Sequence, residues 1–455
     1  MNTRSGPAWW REPVQVPAYE GKASADAGAD GVLAFWALIV FTFILLLAPQ
    51  QRFPVLAPLR IALLAAAVAV GAYVISRLAK GLPLIDWTPA MVLVASLVAW
   101  AVVMVPLSSW PGGSVTYLLD HYFKTLIVFV LLAHVINSLS RLQQISWTLV
   151  LLSVPLALTT IENYVSGLSF ADSTRVIGYS SALTTNPNDM ALMLNLILPM
   201  GIGLFLAERR AHVRLLLGCI MPLLVLAIIV TFSRAGFLTL GLTGMCYLWL
   251  LRDRPERVWP PVLLMLSLIG IPLLPDSYID RIMTIVEIEE DTTGSAQTRL
   301  GDIKVAVEVV IDHPVIGTGP GMNILAMNKA RGETWTEVHN VYLQYAVELG
   351  LPGLVLFLLF YRKCLAAVRT VMQRTRGKPQ YYSLYCLTEG VQVSLMAFAL
   401  AAMFHPVAYS FYFYYMAGLA LAVQRIWAGQ QQQLQKQHQL LKRAPTPAIN
   451  GADLS

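Results

Sequence analysis

The sequence predicts an all-α polytopic membrane protein of about 12 transmembrane helices. Three observations carry that prediction. Of the 455 residues, 56% are hydrophobic and only 13% are charged, where soluble domains carry about 25% charge. Apolar runs of membrane-spanning length recur from residue 31 to residue 425. Spanning about 30 Å of hydrocarbon takes about 20 such residues in a helix, because lipid offers the backbone no hydrogen-bond partners. Period-two alternation is absent, which excludes a barrel.

In chain order, residues 1–30 read as a mixed cytoplasmic tail. Nine spans follow within 31–275, near 31–49, 58–77, 88–106, 118–137, 145–162, 188–206, 212–232, 235–251 and 258–275. A large external loop occupies 276–340, and three more spans lie within 341–426, near 341–361, 387–404 and 406–425. Residues 427–455, Gln-rich, have the composition of a disordered cytoplasmic tail. With the N-terminus inside, 22 of the 32 Lys and Arg residues fall in cytoplasmic segments. The net charge of +6 is therefore a topological signal rather than a nucleic-acid footprint. Both termini are expected on the cytoplasmic side, the first span serving as signal-anchor. Cys219, Cys246, Cys364 and Cys386 lie in or beside helices and outside the predicted external loops, so structural disulfides are not expected.

Two external connections are long, about 163–187 and 276–340, and long loops concentrate function. The larger has too few apolar clusters for a core of its own and is expected to form short surface helices. In "TRLGDIKVAVEVVIDHPVIGTGP", Ile303, Val305, Ala306, Val309 and Val310 mark one helical face, and His313-Pro314 ends the run. "GTGPGM" at 317–322 follows no strand and lacks the Lys-Ser/Thr of a phosphate loop, so it reads as a turn.

"IIVTFSRAGFLTLGL", 228–242, places Arg234 between two apolar runs, at the external end of the seventh span. An arginine at a membrane edge either snorkels to the surface or faces a polar cavity. Arg175, Arg281, Arg299, Lys304 and Arg331 lie in the two large external loops, against the inward bias of the other basic residues. Such a gathering suits an anionic ligand, since the guanidinium fork binds phosphate through paired, charge-assisted hydrogen bonds. His339, where the large loop meets the tenth span, is the side chain best suited to take a proton near neutral pH. A cap or a headgroup contact is the alternative reading for a histidine at a helix start. His313 and His405 share no metal-ligand spacing with it. Asn186, Asn188 and Asp189 in "TTNPNDM" either hydrogen-bond a sugar or cap the sixth span.

The set "TRVIGYSSALTTNPNDMALMLNLILP", "TFSRAGFL", "TRLGDIKVAVEVVIDHPVIGTGPGMN" and "EVHNVYLQYAVELGLPG" resembles the O-antigen ligase and polymerase superfamily of bacterial inner-membrane enzymes. That resemblance implies a GT-C-like glycosyltransferase architecture with a periplasmic active site. It implies transfer of a glycan from undecaprenyl pyrophosphate to an acceptor hydroxyl, lipid A-core in a ligase, by an inverting, metal-independent step without a cofactor. It places the catalytic base on His339 and donor binding on Arg234 and Arg299, with Arg175, Asn186, Asn188 and Asn340 as further substrate-binding candidates. The implied partners are the lipid-linked donor, the glycan acceptor and membrane lipids, with no nucleic acid. Polymerases often carry Arg, ten residues and then Gly in both large loops. Here Arg175, Arg281, Arg299 and Arg331 are followed at that distance by Asn186, Thr292, Val310 and Tyr342, which favours a ligase. A polymerase, an exopolysaccharide enzyme and a protein O-oligosaccharyltransferase stay open as alternatives. A transporter or flippase would show ionisable residues deep in several spans, and Asp120 with Lys124 is the clear pair of that kind.

Overall fold

A computed structural model describes residues 31–169, 175–181, 183–258, 295–332 and 335–443. The expected span over 258–275, most of the first part of the large loop with Arg281, and the two chain ends 1–30 and 444–455 lie outside the described residues. Within them the chain is helical without extended strands, the one sheet-like contact being an isolated bridge between Ser169 and Val176.

Among the described residues, seven helices are long and apolar enough to cross a membrane, and Val32–Leu47 and Pro89–Met104 are shorter apolar helices. In chain order the first helices are α1 (Val32–Leu47), α2 (Ile61–Ala79), α3 (Pro89–Met104), α4 (Pro111–Val135), α5 (Leu139–Val165), α6 (Pro187–Ala207), α7 (Ala211–Val230) and α8 (Arg234–Leu250). Two helices follow from the large loop, α9 (Ser295–Asp312) and α10 (Asn323–Arg331). The chain ends with α11 (Val341–Thr375), α12 (Tyr382–Ala401) and α13 (Phe411–Arg443). Helix therefore stands at every predicted span that falls within the described residues. Residues 427–443, assigned by composition to a disordered tail, continue α13, because Gln, Lys, Leu and Arg are all good helix formers.

The packing centre is α6 against α12. Helices in lipid gain nothing from excluding apolar surface from one another, so close backbone approach must supply the attraction. Gly203 and Gly390 provide it: a Cβ on Gly203 would stand 2.8 Å from the Cys386 carbonyl oxygen, and one on Gly390 2.6 Å from that of Pro199. Asn195, fully buried on α6, donates to the carbonyls of Ala191 (2.8 Å) and Gly236 (3.1 Å) and so ties α8 to the same helix.

The span expected over 341–361 is not one continuous helix. Gly350 has φ +69° and a Cβ there would lie 2.3 Å from the Val315 carbonyl oxygen, so the chain breaks where only glycine fits. The break frees three carbonyls, and each finds a donor. Val347 O accepts from Thr318 N (2.8 Å), Glu348 O from Gly319 N (2.9 Å) and Leu349 O from the Trp100 indole (2.8 Å). Irregular backbone at membrane depth persists only when buried in protein in this way. The "GTGPGM" turn is thus a clasp: Gly321 N donates to the buried Glu348 carboxylate at 2.8 Å, and Asn323 Nδ2 does so at 2.6 Å. Its amides at 319 and 321 are already bonded to protein.

Candidate active site

Five segments converge at the end of the bundle where α6, α8 and α11 begin: the 163–187 connection, the α7–α8 turn, α9, the approach to α11, and the α12–α13 connection. Backbone strain fixes the first contact. Phe232, between α7 and α8, adopts φ +56°, a left-handed conformation rare for an aromatic residue. What holds it there is packing: its ring is buried against Val176, Ile229 and Tyr164, the Tyr164 ring lying 5.9 Å away. Since Val176 follows Arg175 and Phe232 precedes Ser233 and Arg234, this small cluster brings the two arginines together. The Arg175 pKa is lowered by burial and by the Arg234 charge.

Arg234 is the first residue of α8. Ser233 caps that helix by accepting from Gly236 N at 3.1 Å, and donates its own hydroxyl proton to Asn188 Oδ1 at 2.8 Å. Asn186 caps α6, its Oδ1 accepting from Asn188 N at 2.9 Å. Of the two functions open to these asparagines, the cap describes Asn186, while Asn188 locks the start of α6 to the start of α8. Asn340 likewise caps α11, accepting from Tyr342 N (2.9 Å) and Leu343 N (3.1 Å). Its amide oxygen is committed to setting the direction in which His339 enters the helix.

His339 is held from three sides. Val338 N donates to Asn323 Oδ1 at 3.0 Å, Asn340 N to Val338 O at 2.7 Å, and Val341 N to Ala402 O at 2.8 Å. Its own Nδ1 stands 2.9 Å from Glu337 O. A carbonyl only accepts, so in the neutral ring Nδ1 carries the proton and Nε2 the lone pair. The ring is 37% exposed, open enough to meet a ligand. Burial and the Arg299 charge hold its pKa below the usual histidine value, with Arg175 acting in the same sense and the Glu337 carbonyl and Asp302 opposing. Arg299, on α9, and Arg175 therefore bear on the same imidazole.

Sequence reading missed two members of this constellation. The inward stripe of α9 is Asp302, Ala306 and Val309, at 2%, 0% and 7% exposure, whereas Ile303, assigned to the apolar face, is 38% exposed. Asp302 stands at i−4 from Ala306, and a carboxylate on an apolar stripe was the available signal. It binds Arg331, the last residue of α10. His405 is the other. It lies buried between α12 and α13, with Nδ1 2.8 Å from Ala401 O and Nε2 3.1 Å from Asn188 O. Burial lowers its pKa, and the charges of Arg299 and His339 reach it. Asp120 and Lys124 form an exposed pair at 3.1 Å on α4. Among the described residues, no group of three or more His, Cys, Asp and Glu side chains is arranged to hold a metal ion.

The arrangement is a neutral imidazole with an outward lone pair beside several guanidinium groups. It can bind a multiply charged anion and remove a proton next to it. Residues 196–358 match the family model described as O-Antigen ligase, which supports the resemblance drawn from the motifs. That stretch runs from within α6 into α11 and contains Arg234, Arg299 and His339; Arg175, Asn186 and Asn188 precede it. No curated protein matches the chain.

Proposed function

We propose, from the O-antigen ligase-type domain at residues 196–358, that this membrane protein transfers a glycan from a polyprenyl pyrophosphate to an acceptor hydroxyl. Enzymes of that family are glycosyltransferase-like. The observation that carries the reading is His339 with Nδ1 turned to Glu337 O, Nε2 left to accept, and the Arg299 and Arg175 charges acting on the same ring.

In this reading Arg175, Arg234 and Arg299 hold the pyrophosphate. A dianionic ligand between Arg175 and Arg234 offsets both the burial and the Arg234 repulsion that lower the Arg175 pKa. His339 Nε2 takes the proton of the acceptor hydroxyl as its oxygen bonds to the anomeric carbon. The bond from that carbon to the pyrophosphate oxygen breaks, and its electron pair departs with the phosphate. Guanidinium groups already in place stabilise the charge that grows there, in a site poor in water. Attack opposite the leaving group inverts the anomeric centre. The step needs no metal. The inward bias of basic residues supports a site on the external, periplasmic face of a bacterial inner membrane. Lipid A-core is the acceptor of choice because Asn186, Thr292, Val310 and Tyr342 stand where a polymerase often has Gly.

Expression in a strain lacking its O-antigen ligase tests the whole reading: the lipopolysaccharide ladder should return on a gel. Growth of a lipid-linked glycan without transfer to lipid A-core would assign the protein to the polymerases instead. Transfer by the purified protein in liposomes should survive EDTA, and loss of activity on chelation would sink the metal-independent step.

A further inference from the structure

We propose that Asp302 is the positioning residue of the His339 base, its carboxylate held by Arg331 so that one oxygen waits for the imidazolium formed when His339 takes a proton. The proposal rests on the transferase reading above. Asp302 has a side chain 3% exposed, and its two oxygens are treated differently. Oδ1 accepts from Arg331, whose other amine donates to Thr336 Oγ1 at 3.1 Å, three residues before His339. Oδ2 is buried, accepts no hydrogen bond, and lies 3.9 Å from His339 Nδ1.

Glu389, tied to Arg254 through Oε2, also keeps a buried oxygen without a donor, but the corresponding oxygen of Asp302 faces an imidazole that can become a cation. A buried acceptor left without a donor carries a desolvation cost and calls for an explanation. The resting state of His339 supplies one. While the ring is neutral, its Nδ1 proton goes to Glu337 O and Asp302 faces an uncharged group. Once Nε2 has accepted the substrate proton, the ring is a cation and Oδ2 lies within ion-pair distance. The attraction is thus made only in the proton-transferred state, where it helps catalysis rather than ground-state binding. Of the charges that act on the ring, Arg299 from α9 and Arg175 from the 163–187 connection oppose that cation; buried His405 lies on the α12–α13 connection, and the Glu337 carboxyl, two residues away, has its pKa raised by burial. Asp302 is the anion that counters the two arginines.

The test compares full-length wild type, Asp302→Asn and Arg331→Gln in liposomes by two measurements. One is glycan transfer as a function of pH. The other is the pH dependence of His339 modification by diethyl pyrocarbonate, read by peptide mass spectrometry, which does not depend on activity. Asp302→Asn should lower kcat about 10–100-fold with donor KM unchanged, a share of the 10²–10⁴-fold that a general base supplies. It should also move the His339 titration, and the acid limb of the rate profile with it, about one pH unit or more downward. Arg331→Gln keeps the carboxylate and removes its counter-charge, so it should move the titration upward. An unmoved titration in Asp302→Asn overturns the proposal, as do shifts of the same sign in both variants. If neither variant folds, Asp302 is a structural tie and the proposal is lost. A wild type that transfers no glycan while the two titrations shift as expected would overturn the transferase reading instead.

Discussion

The two ends of the bundle use the same side chains and complete them differently. At the end where α2 stops, Asp86 receives Arg77 on one oxygen at 2.7 Å and Arg425 on the other at 2.5 Å. Its backbone N–H donates to His134 Nε2 at 3.1 Å, and His134 Nδ1 donates to Val130 O. Nearby, Arg254 and Glu389 meet at 2.6 Å with side chains 3% and 0% exposed, and Arg141 gives its guanidinium to Val135 O and Asn137 Oδ1. Opposite charges are matched there within the protein. At the other end Arg175 lies against Arg234, Arg299 and Arg175 both press on His339, and Phe232 is strained. Folding alone favours the first pattern, since buried charge is tolerated when paired. Gathered like charge with local strain marks an end arranged for a ligand.

The comparison predicts that charge removal costs activity at one end and stability at the other. The largest effect should come from Arg234→Ala and Arg299→Ala, each abolishing transfer while membrane insertion and yield stay normal. Lys at either position should rescue poorly, because it lacks the fork that binds phosphate in pairs. Near-wild-type turnover in both Lys variants would break the contrast.

His339→Ala comes next, with turnover down about 10²–10⁴-fold and donor binding retained. The pH dependence has a definite sign. Only the neutral ring serves as a base, and its folded pKa lies below the ordinary value of about 6.5. Activity should therefore persist as pH falls through 6.5 and decline only through the lower folded value. An acid limb centred above 6.5 would contradict the burial of His339 beside Arg299.

At the far end, Glu389→Ala leaves Arg254 buried without its partner and should destabilise the protein by about 3–5 kcal/mol. Thermal unfolding in detergent reads that loss, while turnover per folded molecule should stay unchanged. A fall in turnover with unchanged stability would show that the far end also serves the reaction. The smallest effect belongs to Asn186→Ala, which removes a helix cap at the site end and should cost about 1 kcal/mol. A large loss of donor affinity with intact stability would instead return Asn186 to the sugar-binding function.

Much of this was legible in the chain because helical spans and their spacing are local properties. Residues 118–137, 188–206 and 212–232 are apolar over the length that lipid demands, and helix stands over each. Arg234, Arg299 and His339 stood out as candidates because charge at a membrane edge is conspicuous against an apolar background. Less legible were residues whose purpose depends on a distant neighbour. Asn186 was open to a cap or a sugar ligand and Asn340 was a substrate-binding candidate, and in the fold the amide oxygens of both accept from backbone N–H groups at the start of their helices. The break at Gly350 was hidden because the carbonyls it frees are taken up by Thr318, Gly319 and Trp100.

Composition and period alone make the chain helical, make several helices long and apolar enough for a bilayer, and set three arginines and a histidine apart from that background. Those properties follow from composition and period, since lipid forces each spanning segment to satisfy its own backbone. Which of these groups meet is set by contacts across the fold. The Phe232 cluster sets Arg175 against Arg234, Ser233 locks α8 to α6, and the inward stripe of α9 turns Asp302 rather than Ile303 toward His339. Such contacts join residues far apart in the chain, and they are selected by packing, cap geometry and a strained turn rather than by any local periodicity.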